Sequence, residues 1–344
     1  MSHIRPIVII TVGDPAGIGP EIIYKALSSK SILEFKKKFT FLCIGARKPF
    51  DKLGAPIKEV TVNSIRKDTS INNDFKNHIL LLPAPERTPN KSLLLEGFQS
   101  GWAIKKATSL LMNNFAIAMA TAPISKERLN AGGFFYAGHT EFLAALCKSP
   151  DVTMMLANNL VRVSLVTTHA PIRKVPLMIN PKKIEVSVKN TALCLKRWWN
   201  IKRPRIAITS LNPHGGEGGL FGNEEKTILL PTISRLRYEN CKNYSLEGPF
   251  PADTLFANQL WDKKSTRYDA IVCMYHDQGL IPVKLLDFPN TVNVTLGLPI
   301  IRTSVDHGVA FDIAGKGRAD PSSLIAAVRL AVHLGVLNKD KRGL

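Results

Sequence analysis

Eight short runs of this 344-residue chain are apolar almost throughout, and helical patterns separate them. The runs cover 7–12, 39–44, 79–82, 116–121, 162–168, 205–211, 268–274 and 291–296. A strand with one face in water alternates apolar and polar residues, whereas a strand covered on both faces does not. Helical periodicity fills 96–112, 141–147, 185–199 and 322–334. The alternation predicts an α/β fold built on mostly parallel sheets. The chain is too long for one small core, which predicts two lobes. No low-complexity linker separates them, so continuing strands should join the lobes. The uncharged stretch 107–125 holds Asn113, Asn114 and Pro123, and reads as a helix end, a turn and a buried strand rather than a membrane span. Residues 63–77 are polar and read as a surface excursion.

Composition narrows the function classes. Apolar residues make up 45% and charged residues 21% of the chain, as in a globular protein. The cysteines (Cys43, Cys147, Cys194, Cys241 and Cys273) are odd in number and far apart, which fits reduced thiols in the cytoplasm and no disulfide framework. The first strand begins almost at once, with no secretory signal before it. The net charge of +19 raises the prospect of nucleic-acid binding. Its lysines, however, are scattered in small groups such as 36–38, 105–106, 182–183, 263–264 and the basic end 339–342. They form no aromatic-interleaved stripe and no basic helix. Solvated faces and attraction for anionic substrates explain the charge better.

Three of the apolar runs lead into a histidine: VRVSLVTT into His169, RIAITSLNP into His214, and YDAIVCMY into His276. Ligands of open α/β sheets bind beyond the carboxyl ends of the strands. Three imidazoles brought to that edge could share one divalent metal and leave positions open for a substrate. Histidines at strand ends also occur without a metal, and no local motif fixes these three. Asp277 and Glu217 could orient the neighbouring rings or be solvated loop residues.

The turn VGDPAGIGPE after the first strand does not carry a dinucleotide fingerprint. Gly13, Gly17 and Gly19 do not fit G-x-G-x-x-G, and the second strand ends in Gly45 and Ala46 rather than an acidic residue. Pro20 suits the first turn of a helix. Residues 133–140 read G-x-x-x-x-G-H-T, a phosphate loop with His139 in place of lysine and no strand immediately before it. A nucleotide triphosphatase is thereby set aside. Thr140 is expected to cap the helix that opens TEFLAAL, whose first N–H groups favour an anion.

Taken in order, GDPAGIGPE, ATAPISK, GHTEFLA, TTHAPIRKVP, LNPHGGEGGLFGNEE, GPFPADTLF, YHDQGLIPVK and VNVTLGLPIIRTSVDHGVAFDIAGKGRADP resemble the 4-hydroxythreonine-4-phosphate dehydrogenase family of pyridoxal phosphate (vitamin B6) biosynthesis. The resemblance spans nearly the whole chain. It implies a two-lobed α/β fold similar to isocitrate and isopropylmalate dehydrogenases, with residues 1–135 and 296–344 as one lobe and 136–295 as the other. The second lobe would carry the metal ligands and dimer contacts.

The same resemblance implies His169, His214 and His276 as ligands of one divalent ion (zinc, magnesium, cobalt or manganese). His139, Thr140, Lys284, Asn293 and Arg302 would bind a phosphorylated substrate. NAD or NADP would accept hydride, with the segment after His307 near the cofactor; Gly308, Asp312 and Gly315 are the candidates there. Lys284 and Asp277 are candidate proton acceptors. A homodimer with residues of both subunits at each site is implied, with no nucleic-acid or membrane partner. Sugar-acid phosphates, namely 4-phospho-D-threonate and 4-phospho-D-erythronate, are alternative substrates that these motifs separate poorly from the amino acid.

Overall fold

The computed structural model describes residues 5–67, 78–261 and 267–342. Residues 68–77 of the polar excursion, and Lys263 and Lys264, lie outside the described residues. The strands in chain order are β1 (Ile7–Thr11), β2 (Thr40–Gly45), β3 (Ile57–Glu59), β4 (Ile79–Pro83), β5 (Ala118–Thr121), β6 (Thr153–Ala157), β7 (Arg162–Leu165), β8 (Arg205–Thr209), β9 (Ser245–Phe250), β10 (Ala270–Cys273), β11 (Val292–Leu296) and β12 (Arg302–Ser304). All eight predicted runs contain a strand. Of the other four, β3 is a short edge strand, β9 carries Gly248 and Pro249, β12 reads Arg-Thr-Ser, and β6 is an apolar run, TMMLA, that the sequence pattern did not single out. The chain divides into two compact units, residues 1–150 with 298–344, and residues 151–297.

In the first unit the strands run β3-β4-β2-β1-β5-β12, each parallel to its neighbour. β1, β2 and β5 are buried along their whole length, as their unbroken apolar sequences require. Val8, Ile9 and Ile10 are fully covered, each contributing about 1.5–3 kcal/mol of burial. The helices Leu95–Met112 and Ser322–Arg342 pack on these strands. Stretch 107–125 is a helix end, a turn and the buried β5, as expected. Gly13 ends the β1 approach with φ +76°, and a side chain there would overlap the Pro123 carbonyl. Only glycine permits both the backbone and the approach.

Residues 136–150 belong to this first unit, although the sequence reading counted them with the second lobe. The reason is packing. Helix His139–Leu146 buries Phe142, whose ring stacks on Tyr136 at 4.4 Å and meets Phe134 at 5.3 Å.

In the second unit the order is β11-β6-β7-β10-β8-β9. The pairs β11–β6 and β6–β7 are antiparallel, and the remaining pairs are parallel. One face is filled by Val163, Leu165, Ala207 and Ile271 from the strands, and by Leu255, Phe256, Leu280 and Val283 from helices Ala252–Trp261 and His276–Asp287. Four of the five cysteines are buried and all five are free. Among the described residues no helix is long and apolar enough to cross a membrane.

Candidate active site

The three histidines owe their placement to strand order. β7, β10 and β8 are adjacent and parallel, so their carboxyl ends share one edge of the second unit. His169 follows β7, His276 opens the helix after β10, and His214 follows β8. The rings of His169 and His276 lie 5.8 Å apart between centres, tilted by 44°. Two imidazoles on one tetrahedral ion, with metal–nitrogen bonds of about 2.0–2.1 Å, place their centres about 5 Å apart. That pair therefore suits a shared cation. The His214 ring instead neighbours Phe221, at 6.1 Å. Among the described residues no three His, Cys, Asp or Glu side chains stand close enough to enclose a metal.

His276 is oriented by its neighbour. Its Nδ1 lies 2.6 Å from Asp277 Oδ1, which directs Nε2 outward. Asp277 thus has the orienting contact anticipated for it, while Glu217 is exposed in its loop. His214 opens a run of left-handed residues, His214 to Gly218, in which His214 (φ +52°) and Glu217 (φ +43°) are not glycine. Such conformations cost about 1–2 kcal/mol each, and glycines at the other positions limit the total. Buried Glu225 anchors the start of this run. It accepts from the backbone N–H groups of Leu211 and Asn212, both at 2.8 Å, and from the Asn212 amide at 2.9 Å. Sequence reading passed over Glu225, because a glutamate in a charged stretch has no distinguishing signal.

Lys284 lies in the last turn of the helix that His276 begins, with Nζ 5.5 Å from the centre of the Phe288 ring. Eight residues of helix separate it from His276 by about 12 Å. Asn293 is carried by β11, and its Oδ1 is buried without a hydrogen-bond partner among the described residues.

The first unit holds a buried cation. Arg302 is 3% exposed, and its Nε and Nη2 donate to Thr121 Oγ1 at 3.1 and 2.9 Å. Burial pulls its pKa down to about 9, against the attraction of Glu141, so the group is still charged at neutral pH. His139 is its electrostatic neighbour. Burial first, and the Arg302 charge second, hold the imidazole well below its ordinary pKa, which keeps it neutral. Its Nε2 is buried without a partner among the described residues. An anion binding here would recover part of the cost of burying the guanidinium. Thr121 was not foreseen, because a hydroxyl in ATAPISK carries no charge signal.

Thr140 does not cap the helix. The helix starts at His139, the extended Gly138 is the residue before it, and no side chain bonds the first-turn N–H groups. Thr140 is the second residue of the helix, two positions past the cap position held by Gly138, and cannot fold back as a cap.

Beyond the carboxyl ends of β1 and β2 the first unit also has a cleft of about 460 Å³, lined in part by Pro15, Gly17, Glu21, Lys48, Gln99 and Gly315. Helix Gly19–Leu27 forms one wall, with Pro20 in its first turn as expected. Glu21 and Lys25 tie that helix to the glycine-rich segment. Ala319 N–H donates to Glu21 at 2.9 Å, and Lys25 Nζ donates to the carbonyls of Gly317 and Ala319 at 2.8 and 2.7 Å. Of the three cofactor candidates Gly315 lines this cleft, while Gly308 and Asp312 are exposed on the same segment. His307 bonds its own segment, Nδ1 lying 3.0 Å from the Gly308 carbonyl.

Fold and site define a mostly parallel α/β enzyme, with histidines at neighbouring strand ends of one unit and a buried guanidinium in the other. The family described as pyridoxal phosphate biosynthetic protein PdxA matches residues 37–331. The 4-hydroxythreonine-4-phosphate dehydrogenase of Geobacter metallireducens is 42% identical over 340 residues, covering 97% of each chain. That of Trichlorobacter lovleyi is 40% identical over 97% of this chain and 99% of its own. The crystal structure of the Klebsiella pneumoniae enzyme of the same name superposes with a TM-score of 0.83 at 35% identity, over 96% of this chain and all of the other. The chain belongs to the PdxA family and is an oxidoreductase of pyridoxal phosphate biosynthesis.

Proposed function

We propose that the protein oxidises 4-phosphohydroxy-L-threonine at its hydroxyl-bearing carbon, with NAD or NADP as hydride acceptor and a divalent metal at the histidine edge. The product is 2-amino-3-oxo-4-phosphooxybutanoate, a β-keto acid that loses carbon dioxide to give 3-amino-2-oxopropyl phosphate. Family membership supports the reaction class. The delivery of His169, His214 and His276 to one strand-end edge carries the metal part of the reading.

A divalent ion there would act as a Lewis acid on the substrate hydroxyl and lower its pKa, and the nicotinamide would accept the hydride. His169 and His276 would hold the ion, with His214 of the same chain or of a second copy as the third donor. Zinc suits three imidazoles, and magnesium, cobalt and manganese are the other candidates. Asp277 keeps His276 in the tautomer with Nε2 free for the ion. Arg302 reads an anionic group of the substrate, and neutral His139 adds a hydrogen bond without adding charge. Lys284 is the proposed proton acceptor. The cleft lined by Gly315 has the volume of a small-ligand site and is the proposed seat of part of the nicotinamide cofactor.

A homodimer is part of the proposal. Ile281, Leu285 and Phe288 are 57%, 83% and 55% exposed on one stripe of the helix that begins with His276. Helical spacing of that kind marks a face built to be covered. With free cysteines throughout, the proposed location is the cytoplasm.

The test is the appearance of reduced nicotinamide absorbance with 4-phosphohydroxy-L-threonine and NAD or NADP, with added divalent metal and with chelator. Metal-dependent turnover is the expected result. Turnover on 4-phospho-D-threonate or 4-phospho-D-erythronate, and none on the amino acid, would replace the substrate. In the same assay, an unchanged hydride-transfer rate in Lys284→Met at saturating substrate would remove Lys284 as the base.

A further inference from the structure

Gln278 is half-buried in the first turn of the helix that His276 opens and bonds to two of the three strand ends. Its Oε1 accepts from Met274 N–H at 2.8 Å and from Thr209 Oγ1 at 2.7 Å. Its Nε2 donates to the Ser210 carbonyl at 2.7 Å. Met274 lies just beyond β10 and leads to His276, while Thr209 ends β8 and Ser210 follows it on the way to His214. The third end is joined through the same residue. The Met274 carbonyl accepts from Thr167 N–H at 3.1 Å and from Thr167 Oγ1 at 2.7 Å, just before His169. Met274 therefore connects all three strand ends, and Gln278 is the side chain that fixes it to β8.

Helix capping alone does not account for this arrangement. Gln278 is the third residue of helix His276–Asp287, where a Gln commonly turns back to the N–H before the helix. Tyr275 precedes the helix and supplies no side-chain cap, so Gln278 does serve the helix start. A cap, however, needs only the Oε1 acceptor. The Nε2 bond to Ser210 and the second Oε1 bond from Thr209 reach across to a different strand. A glutamate would keep the acceptors and lose the donor, whereas the amide satisfies both sides of the junction.

We propose that Gln278 is a positioning residue that fixes the strand ends carrying His276 and His214, and so sets the metal affinity of the histidine edge. This inference rests on the reading that the three histidines hold a divalent cation. Outer contacts of that kind change metal affinity by about 10–100-fold when removed. Gln278→Met keeps the length and apolar bulk of the side chain and removes all three bonds.

The experiment titrates metal-free protein with zinc or cobalt(II) in competition with a chromogenic chelator, alongside a thermal melt of each sample. Wild type, Gln278→Met, Thr209→Val and Asn180→Ala are compared. Asn180 caps a helix of the same unit by accepting from Lys183 N–H at 3.0 Å and touches none of the strand ends, so it reports the effect of losing a cap alone. Expected is a loss of about 10–100-fold in affinity for Gln278→Met. About fivefold is expected for Thr209→Val, which breaks one of the bonds, with no change for Asn180→Ala. A folded Gln278→Met that binds metal as wild type does would overturn the proposal and leave the histidine reading standing. Wild type that binds neither metal would overturn both. Should Gln278→Met fail to fold, Thr209→Val decides, and wild-type affinity in that variant counts against the proposal.

Discussion

The two units build their functional groups by opposite means. In the first, function depends on what is removed from water. Arg302 is buried against Thr121, and His139 is kept neutral by burial and by the Arg302 charge. In the second, function depends on topology. His169 and His214 are exposed, and adjacent parallel strands bring them to one edge with His276. Burial makes a receptor selective for anions, because taking a cation out of water is costly and an incoming anion offsets part of that cost. Strand order makes a metal edge, because donor atoms must meet at fixed distances and water can be displaced later. A substitution should therefore reveal which mechanism it touches by whether stability or ligand binding changes more.

The sharpest separation is expected from His276→Ala. Loss of a metal donor should lower kcat/KM by about 10³-fold or more, since the Lewis-acid contribution is worth several kcal/mol. The melting temperature of the metal-free protein should hardly move, because the ring is partly exposed. A large fall in metal-free stability would show that the edge is a packing feature.

Arg302→Met should behave in the reverse way. A charge-assisted contact is worth about 1.5–3 kcal/mol, so kcat/KM should fall by about 10–100-fold, mostly through KM. The ligand-free protein should melt at an equal or higher temperature, since a buried charge has been replaced by an apolar chain. Inorganic phosphate, tested as a competitive inhibitor, should lose its effect in this variant. Unchanged phosphate inhibition would separate Arg302 from anion binding.

The smallest effect is in the pH dependence of stability. His139 is depressed in the folded state, so the unfolded chain binds its proton more readily. Stability from this group is complete above the unfolded pKa of about 6.5 and falls as pH drops below it, by up to about 1.4 kcal/mol per pH unit. His139→Phe should flatten the urea-unfolding free energy between about pH 6.5 and 5 relative to wild type. An unchanged slope would mean that the ring is protonated in the folded protein.

Much of this architecture was legible in the residues. β1, β2 and β5 announce themselves as unbroken apolar runs because both faces are covered. β12 could not be read in the same way. Arg-Thr-Ser looks like a loop, yet all three residues are buried, because Arg302 reaches Thr121 and Thr303 donates to the Ala327 carbonyl at 2.9 Å. Such a strand is held by partners distant in sequence. Thr140 was misread for a related reason: a capping residue is recognisable only once the helix start is known, and Gly138 allows the start to fall earlier.

By itself the sequence determined the alternation of strands and helices, the mostly parallel sheets, the ordered motifs of the PdxA family, and which histidines stand at strand ends. These are local or linear properties, set by the period of apolar residues and by the order of segments. Only the tertiary structure decided that β7, β10 and β8 are neighbours, that Met274 and Gln278 join their ends, and that Arg302 is buried beside His139. Each depends on which distant segments pair and how completely water is excluded between them, and neither property is written in the spacing of residues along the chain.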